Sequence, residues 1–403
     1  MVNTLFIQFV EHINNRNETF ASFMIDDKSS ILSNGFSYVY DKCKNLGDFI
    51  WVDVEDNIEL PISKGIVYVS VLYTRHLIQT FIWANKYPEI NFIIGGPNVS
   101  LGSIFYKDKP VTIPSNMKIT NRLAEEVILG DTRPSKKWYI DVPDNLNKNV
   151  FFSYPVQRDC YWKQCLFCGE RKNIHTFSNN TDSLYIPNND YNWIIRLSTP
   201  ALSPKFIRDL LPVVPKASNI QYEFFMRADT ETISSLEKVL DKIPDNTMFH
   251  VGLECPSNRM LELMRKGTST YNYLSLVKLL NNTSHIVRFS LMDGWNLIPE
   301  DIAEIENFFV NLDNINNKNI LLSLYKTFIP KPDDPFHRVL GSPKLKTIDW
   351  EAYEGYDYRG YLVDWDKDTD KLNRYIRALY KSAGYTIYVN NYKYRYVIRG
   401  HDE

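Results

Sequence analysis

Asp159-Cys160-Tyr161-Trp162-Lys163-Gln164-Cys165-Leu166-Phe167-Cys168-Gly169 gathers three of the chain's five cysteines into one short run. Four residues separate the first pair and two the second, a spacing that lets a single loop turn three thiolates toward a common point, as an iron–sulfur cluster requires. A disulfide framework would not crowd its cysteines in this way. A tetrahedral zinc site needs a fourth ligand, and a zinc ribbon would supply it with a second Cys-x-x-Cys. Here Cys43 and Cys255 stand alone, and the seven histidines form no ligand-spaced pair. Three protein ligands leave one iron of a cubane open to a non-protein ligand. A structural zinc knuckle and a plain electron-transfer cluster are the alternatives.

The chain has 403 residues, enough for two or three domains of roughly 100–200 residues each. Its hydrophobic content of 44% is ample for a core. A net charge of −2 and an isoelectric point near 6.4 supply no field that would draw nucleic acid or an anionic membrane surface. No apolar run approaches the ~18 residues of a spanning helix, and no signal-peptide pattern is present. The expected compartment is the reducing cytoplasm, where thiolates stay free. The 26 tyrosines read first as an aromatic-rich core and surface, and second as a groove for an extended or aromatic substrate.

Three parts follow from the patterning. In residues 1–143, strands are expected at Thr4–Val10, Phe49–Val54, Gly65–Thr74 and Asn91–Ile94, with a helix at His76–Lys86. Apolar β-branched runs alternating with helices predict a parallel sheet. Only about ten residues join the second and third strands, too few for an ordinary crossover helix. In residues 144–329, six strand–helix repeats have strands at Val150–Val156, Trp193–Leu197, Ile220–Met226, Met248–Glu254, Val287–Asp293 and Ile320–Thr327. Helical patterns fall at Pro204–Leu211, Ser234–Lys242, Arg259–Arg265, Tyr271–Asn281 and Pro299–Leu312. Such repeats predict a barrel or partial barrel, with ligands at the carboxyl ends of its strands, and the cysteine loop directly follows the first strand. Residues 330–403 change character: four prolines, a polar and aromatic run from Asp349 to Tyr361, a helix near Asp370–Ala383 and an aromatic strand-like segment Tyr385–Ile398.

The cysteine loop resembles that of the radical S-adenosylmethionine (radical SAM) superfamily, in which the open iron binds the cofactor's amino and carboxylate groups. The first gap is one residue longer than in the commonest signature. With Tyr161, Trp162 and Phe167, it is similar to a variant of cobalamin-domain-type and peptide-modifying members. Two further segments carry the resemblance. Gly252-Leu-Glu254-Cys255 with Met264-Arg-Lys266-Gly267 is similar to the fourth-strand segment of the methylthiotransferase and cobalamin-linked branches. Phe328-Ile-Pro-Lys-Pro332-Asp-Asp-Pro335-Phe336 resembles the segment after their sixth strand. The implied fold is α/β: a partial (β/α)6 barrel preceded by a reduced Rossmann-like domain and followed by a small C-terminal region that closes the barrel and shapes the substrate site.

The stretch Tyr87–Pro97 resembles the fourth-strand region of a cobalamin-binding domain, yet the shortened sheet and the glycine-free Asn121–Glu126 depart from it. The Asp-x-His-x-x-Gly motif for histidine-on binding is absent too. Cobalamin is possible on this reading but not favoured.

The resemblance also implies roles. Cys160, Cys165 and Cys168 hold a [4Fe-4S] cluster, and Phe167 faces the adenine region. Ser198 and Thr199 take the place of the usual Gly-Gly-Glu at the methionyl amino group. Arg227 pairs the methionyl carboxylate through its planar fork, Glu254 accepts from the ribose hydroxyls, and Gly294 lets backbone meet adenine. Each residue also has a plainer reading: a salt bridge for Arg227, a structural carboxylate for Glu254, a turn for Gly294. Cys255, beside the expected ribose site, would donate a hydrogen atom to a substrate radical in an epimerase; its plainer reading is small buried packing.

The expected activity is reductive cleavage of S-adenosylmethionine to a 5′-deoxyadenosyl radical that abstracts hydrogen from a carbon of a ribosomal peptide, leading to epimerisation or a related change. Cobalamin-dependent C-methylation of a peptide or small natural-product precursor is the alternative, and a non-catalytic iron–sulfur or zinc protein a further one. The expected partners are a precursor peptide and an external electron donor of the flavodoxin or ferredoxin type.

Overall fold

A computed structural model describes residues 3–13, 29–32, 35–36, 39–54, 56, 58–71, 74–96, 103–107, 109–120, 122, 124–130, 143, 146–156, 160–168, 190–293, 295–315, 319–326, 328–329, 337–338, 340–342, 344–353, 356–364, 371, 374–375, 386–389 and 396–397.

The front of the chain forms β1 (Thr4–Ile13), β2 (Ser29–Leu32), α1 (Tyr40–Cys43), β3 (Asp48–Asp53), β4 (Gly65–Ser70), α2 (Thr74–Lys86), β5 (Ile90–Gly95), β6 (Ser103–Tyr106), β7 (Lys109–Pro110), β8 (Met117–Ile119) and α3 (Ala124–Leu129). Strands β3, β1, β4, β5 and β8 pair in that order, all parallel. This is a doubly wound sheet in which the second and third strands flank the first, the 2-1-3-4-5 order of flavodoxin-like folds. The expectation of a shortened sheet is therefore corrected, because five strands are present. The fifth, β8, is only three residues long and sits beside Pro114, too short for a periodicity signal. The short link between β3 and β4 carries no helix among its described residues. One side of the sheet packs on α2, where Phe9 stacks on His76 at 4.1 Å and on Trp83 at 6.1 Å.

The barrel strands are β9 (Asn149–Pro155), β10 (Asn192–Ser198), β11 (Ile220–Met226), β12 (Met248–Glu254), β13 (Ile286–Asp293) and β14 (Ile320–Lys326), each parallel to the next. Parallel strands covered by helices are rich in apolar residues, which is why all six were visible as largely apolar runs. Helices α4 (Pro204–Leu210), α5 (Thr230–Glu237), α6 (Asn258–Leu263), α7 (Thr270–Leu280) and α8 (Pro299–Ile315) follow β10 to β13. The starts of α4, α5 and α6 are set by side-chain caps: Ser203 accepts from the Phe206 amide, Asp229 from Thr232, and Ser257 from Met260.

Alternation along each strand sorts the barrel's two faces. Trp193, Ile195, Leu197, Phe224, Phe249, Val251, Phe289 and Leu322 share one core with the helix residues Ile207, Leu236, Met260, Leu276 and Phe308. The opposite, inner face carries Ile194, Arg196, Glu223, His250, Arg288 and Ser323.

Strand β2 was not expected. It pairs antiparallel with the end of β1 and parallel with β9, so the front sheet and the barrel are one continuous hydrogen-bonded sheet. The C-terminal region supplies β15 (Phe328–Ile329), β16 (Lys344–Tyr353), β17 (Tyr356–Asp364), β18 (Thr386–Val389) and β19 (Tyr396–Val397). The polar and aromatic run of residues 349–361 is thus part of a β-hairpin, and β17 pairs with β6 of the front part. Strand β18 extends the barrel beside β14. Of the helix expected near residues 370–383, only 371, 374 and 375 are described, and they are helical. Residues 330–336, most of the proline-rich segment, lie outside the described residues.

Candidate active site

The carboxyl ends of β9 to β12 bring the sequence-predicted residues into one neighbourhood. The cysteine loop after β9 is held against the turn that follows α6. The Leu166 amide donates to the Met264 carbonyl at 3.0 Å, and Trp162 Nε1 donates to the Arg265 carbonyl at 2.8 Å. Gly267 lets the indole in: its φ is +64°, and a Cβ there would lie 2.0 Å from the Trp162 ring. Tyr161 fixes the other side by donating to Asp229 Oδ2 at 2.5 Å and lying 2.8 Å from Thr232 Oγ1. Asp229 is also the cap of α5, so the first turn of that helix is tied to the cysteine loop.

Arg227, one residue beyond β11, lies beneath this loop and is 5% exposed. Its Nε donates to Asp229 Oδ2 at 3.0 Å, Nη1 to Cys165 Sγ at 3.8 Å, and Nη2 to the carbonyls of Lys266 and, at 3.3 Å, Gly267. The guanidinium stacks 4.5 Å from the centre of the Trp162 ring. The structure thus engages Arg227 with the cysteine loop itself.

At the end of β12 the ladder to β13 shifts register between Gly252 and Glu254, and Glu254 takes the left-handed φ of +59°. That bulge aims the carboxylate at Lys266, whose Nζ donates to Glu254 Oε1 at 2.9 Å and sits 5.2 Å above the Phe167 ring. Both members of the pair are buried. A Cβ on Gly252 would lie 2.4 Å from that carboxylate oxygen, so the pair needs a glycine there.

Ser198 ends β10 and Thr199 follows it. Thr199 is 5% exposed, and its Oγ1 is buried with no hydrogen-bond partner among the described residues. An orphaned hydroxyl is costly, and at a strand's carboxyl end it fits a ligand's polar group. Residue 294 lies outside the described residues, so the Gly294 expectation has no structural account.

Cys165 is buried, and Cys160 and Cys168 are half-buried. Burial pushes the Cys165 thiol above its ordinary range, while the charges of Lys266 and Arg227 pull the other way. Among the described residues no three His, Cys, Asp or Glu side chains are gathered closely enough to hold a single ion. A zinc ion needs its ligands to close on one atom, whereas the cysteines of a cubane each reach a different iron.

Cys255 is 0% exposed and belongs to the core formed with the helices. Burial, with the Asp301 carboxylate next, raises its thiol far above the ordinary range. A buried neutral thiol in a packed core is not presented to a substrate, which matches its plainer reading. The residues that sequence reasoning passed over are Asp229, Lys266 and the inner-face set. There Glu223 takes Arg196 Nε at 2.7 Å on one oxygen and His250 Nε2 at 2.8 Å on the other, and the Arg196 guanidinium lies between the rings of Phe151 and Phe225. A run of charged residues at alternate positions of consecutive apolar strands was the available signal.

In the front sheet, ligands of such folds enter at the carboxyl ends of β1 and β4, where the strand order reverses. Gly96 passes so near β4 that a Cβ would lie 1.9 Å from the Val71 carbonyl oxygen, a close approach only glycine allows. Glu11 at the end of β1 is paired with Arg75 and His76 from the first turns of α2. Burial opposes its charge, but the His76 and Arg75 hydrogen bonds hold the carboxyl below its ordinary range. This crevice lies at the switch point where ligands of such folds bind, and the charged groups at its edge, Glu11, Arg75 and His76, pair with one another.

No known family's sequence pattern matches the chain, and no curated protein matches it. Solved structures do. The cobalamin-dependent S-adenosylmethionine radical enzyme OxsB, with aqua-cobalamin and S-adenosylmethionine bound, superposes with a TM-score of 0.59 at 13% identity, covering 94% of this chain and 67% of that one. The radical S-adenosylmethionine methyltransferase TsrM from Kitasatospora setae, with tryptophan substrate and a SAM analogue bound, gives 0.54 at 11% identity, covering 88% of this chain and 79% of that one. The form of TsrM with cobalamin and a [4Fe-4S] cluster gives 0.52 at 11% identity, covering 81% and 75%. The α/β chain described here, a five-stranded parallel front sheet running into a six-stranded parallel barrel, has the fold of the cobalamin-dependent radical SAM enzymes.

Proposed function

We propose that this chain is a radical SAM enzyme of the cobalamin-dependent kind, acting on an unactivated carbon by methyl transfer. The observation that carries the reading is the cysteine loop at the carboxyl end of the first barrel strand, in a sheet that continues into a complete 2-1-3-4-5 sheet. When bound, a [4Fe-4S] cluster with S-adenosylmethionine supplies one-electron cleavage chemistry and cobalamin supplies a methyl carrier. Cys160, Cys165 and Cys168 hold the cluster. Thr199 Oγ1 and Ser198 offer polar atoms to the methionyl amino group. Glu254, steadied by Lys266, accepts from ribose hydroxyls, and Phe167 walls the adenine side. The Arg196–Glu223–His250 network closes the inner face of the barrel beneath them, keeping water from the reacting carbon. Peptide epimerisation loses its support, since the thiol that would complete it lies in the core.

The test is anaerobic reconstitution with iron, sulfide and hydroxocobalamin, followed by gel filtration. We expect about four irons per chain and a stoichiometric corrinoid spectrum, with S-adenosylhomocysteine formed once SAM and a low-potential donor of the flavodoxin or ferredoxin type are added. Corrinoid-free protein that still cleaves SAM would reduce the reading to hydrogen abstraction alone. Iron-free protein would overturn it.

A further inference from the structure

We infer that Arg227 is a positioning residue for the cluster: by donating from Nη1 to Cys165 Sγ it raises the cluster's reduction potential. The inference rests on the cluster reading above and replaces the role as a carboxylate fork that the sequence suggested. Four observations carry it. The guanidinium is almost fully buried, and its Nη1 lies 3.8 Å from the sulfur. Its orientation is fixed on three sides: by Asp229 at Nε, by the Lys266 and Gly267 carbonyls at Nη2, and by the Trp162 ring on its face. Asp229 is itself held by Tyr161, two residues from the positively curved backbone of the cysteine loop at Lys163, and by the cap of α5. Trp162, which stacks on the guanidinium, donates to the Arg265 carbonyl and the Leu166 amide donates to that of Met264, so the turn whose 266 and 267 carbonyls hold Nη2 also holds the loop.

The physical consequence follows from charge. A one-electron reduction by an external low-potential donor adds negative charge that spreads onto the thiolate sulfurs. A fixed cation donating a hydrogen bond to one of them stabilises the reduced form more than the oxidised form. Cys165 is the most buried of the three ligands, so water competes least for its sulfur. A point-charge ammonium could not make the same four contacts, because the planar fork alone reaches Asp229, the sulfur and both carbonyls together.

The experiment is redox potentiometry of the full reconstituted chain without SAM, following the reduced cluster's electron paramagnetic resonance, on wild type, Arg227→Lys, Arg227→Met and Asp229→Asn. We expect full iron content in Arg227→Lys and Asp229→Asn, and a midpoint more negative than wild type in the two Arg227 variants, the lysine variant recovering part of what methionine loses. SAM affinity measured separately should change little in Asp229→Asn. A wild-type midpoint in iron-replete Arg227→Lys would overturn the inference, and weakened SAM binding in the same protein would return Arg227 to the cofactor's carboxylate. If Arg227→Met loses its iron, Arg227→Lys still decides. A wild-type chain that binds no iron would sink the cluster reading instead, a distinguishable result.

Discussion

Lys266 Nζ donates to Glu254 Oε1 at 2.9 Å, joining the end of the fourth barrel strand to the turn that grips the cysteine loop. Both side chains are about nine-tenths buried, so each charge depends on the other. Removing one partner of such a pair typically costs about 3–5 kcal/mol. We expect Lys266→Met to lower the unfolding free energy by that order in chemical denaturation. Glu254→Gln should cost less stability but weaken SAM binding by roughly 1–3 kcal/mol, as a charged acceptor is lost. Unchanged SAM affinity in Glu254→Gln would remove Glu254 from the cofactor site.

Gly267 admits the Trp162 ring to the loop's anchor. Gly267→Ala forces a side chain into a left-handed position, about 1–2 kcal/mol by itself, and drives a Cβ into the indole. The expected outcome is a folded chain by far-ultraviolet circular dichroism that takes up less iron than wild type. Normal iron content and an unshifted visible spectrum would show that Trp162 does not anchor the loop.

Acid sensitivity should come in two steps. His250 and His76 are buried, and burial lowers their affinity for a proton below the ordinary 6.5 despite their carboxylate partners. The folded state therefore binds fewer protons than the unfolded state, and the contribution of each neutral imidazole is present above pH 6.5 and lost as pH falls through the lower folded value. Glu223 behaves likewise at lower pH. Burial acts against its charge, but Arg196 and His250 hold it at about 2 from an ordinary 4.5, so its contribution is lost as pH falls from 4.5 toward 2. Denaturation midpoints should be flat above pH 7, decline below about 6.5 and decline more steeply below 4.5. In Glu223→Gln the second decline should be blunted; an identical profile would show that Glu223 is not the titrating group.

Cys255 should prove to be a packing residue. Cys255→Ala is expected to cost on the order of 1 kcal/mol of stability, the value of a small buried group. Iron content and SAM cleavage should stay as in wild type. A variant that cleaves SAM but stalls before product would restore the thiol to a chemical role.

Much of the barrel was legible because its strands are buried on both faces. Ile220–Met226 and Met248–Glu254 coincide with the apolar runs, and Pro204 after Ser203 marked the start of α4. The cysteine triad was legible because its three members are local in the sequence. What was not legible depends on pairing across the chain. Strands β2 and β8 have four and three residues, below any periodicity, and exist because β1, β9 and β5 offer open edges. The hairpin of β16 and β17 mixes charged and aromatic residues, which mimics a loop in composition. Within the site, Tyr161 finds Asp229 from 68 residues away, and Arg227 finds Cys165 from 62.

The central claim, an iron–sulfur cluster on Cys160, Cys165 and Cys168 with one iron open to S-adenosylmethionine, is tested most directly by electron paramagnetic resonance of the reduced, reconstituted chain before and after SAM is added. A cubane signal whose shape changes on adding SAM is expected, with no such signal in Cys165→Ala. A signal indifferent to SAM would make the centre a plain electron-transfer cluster, and a colourless, zinc-bound protein with no signal would contradict the account outright.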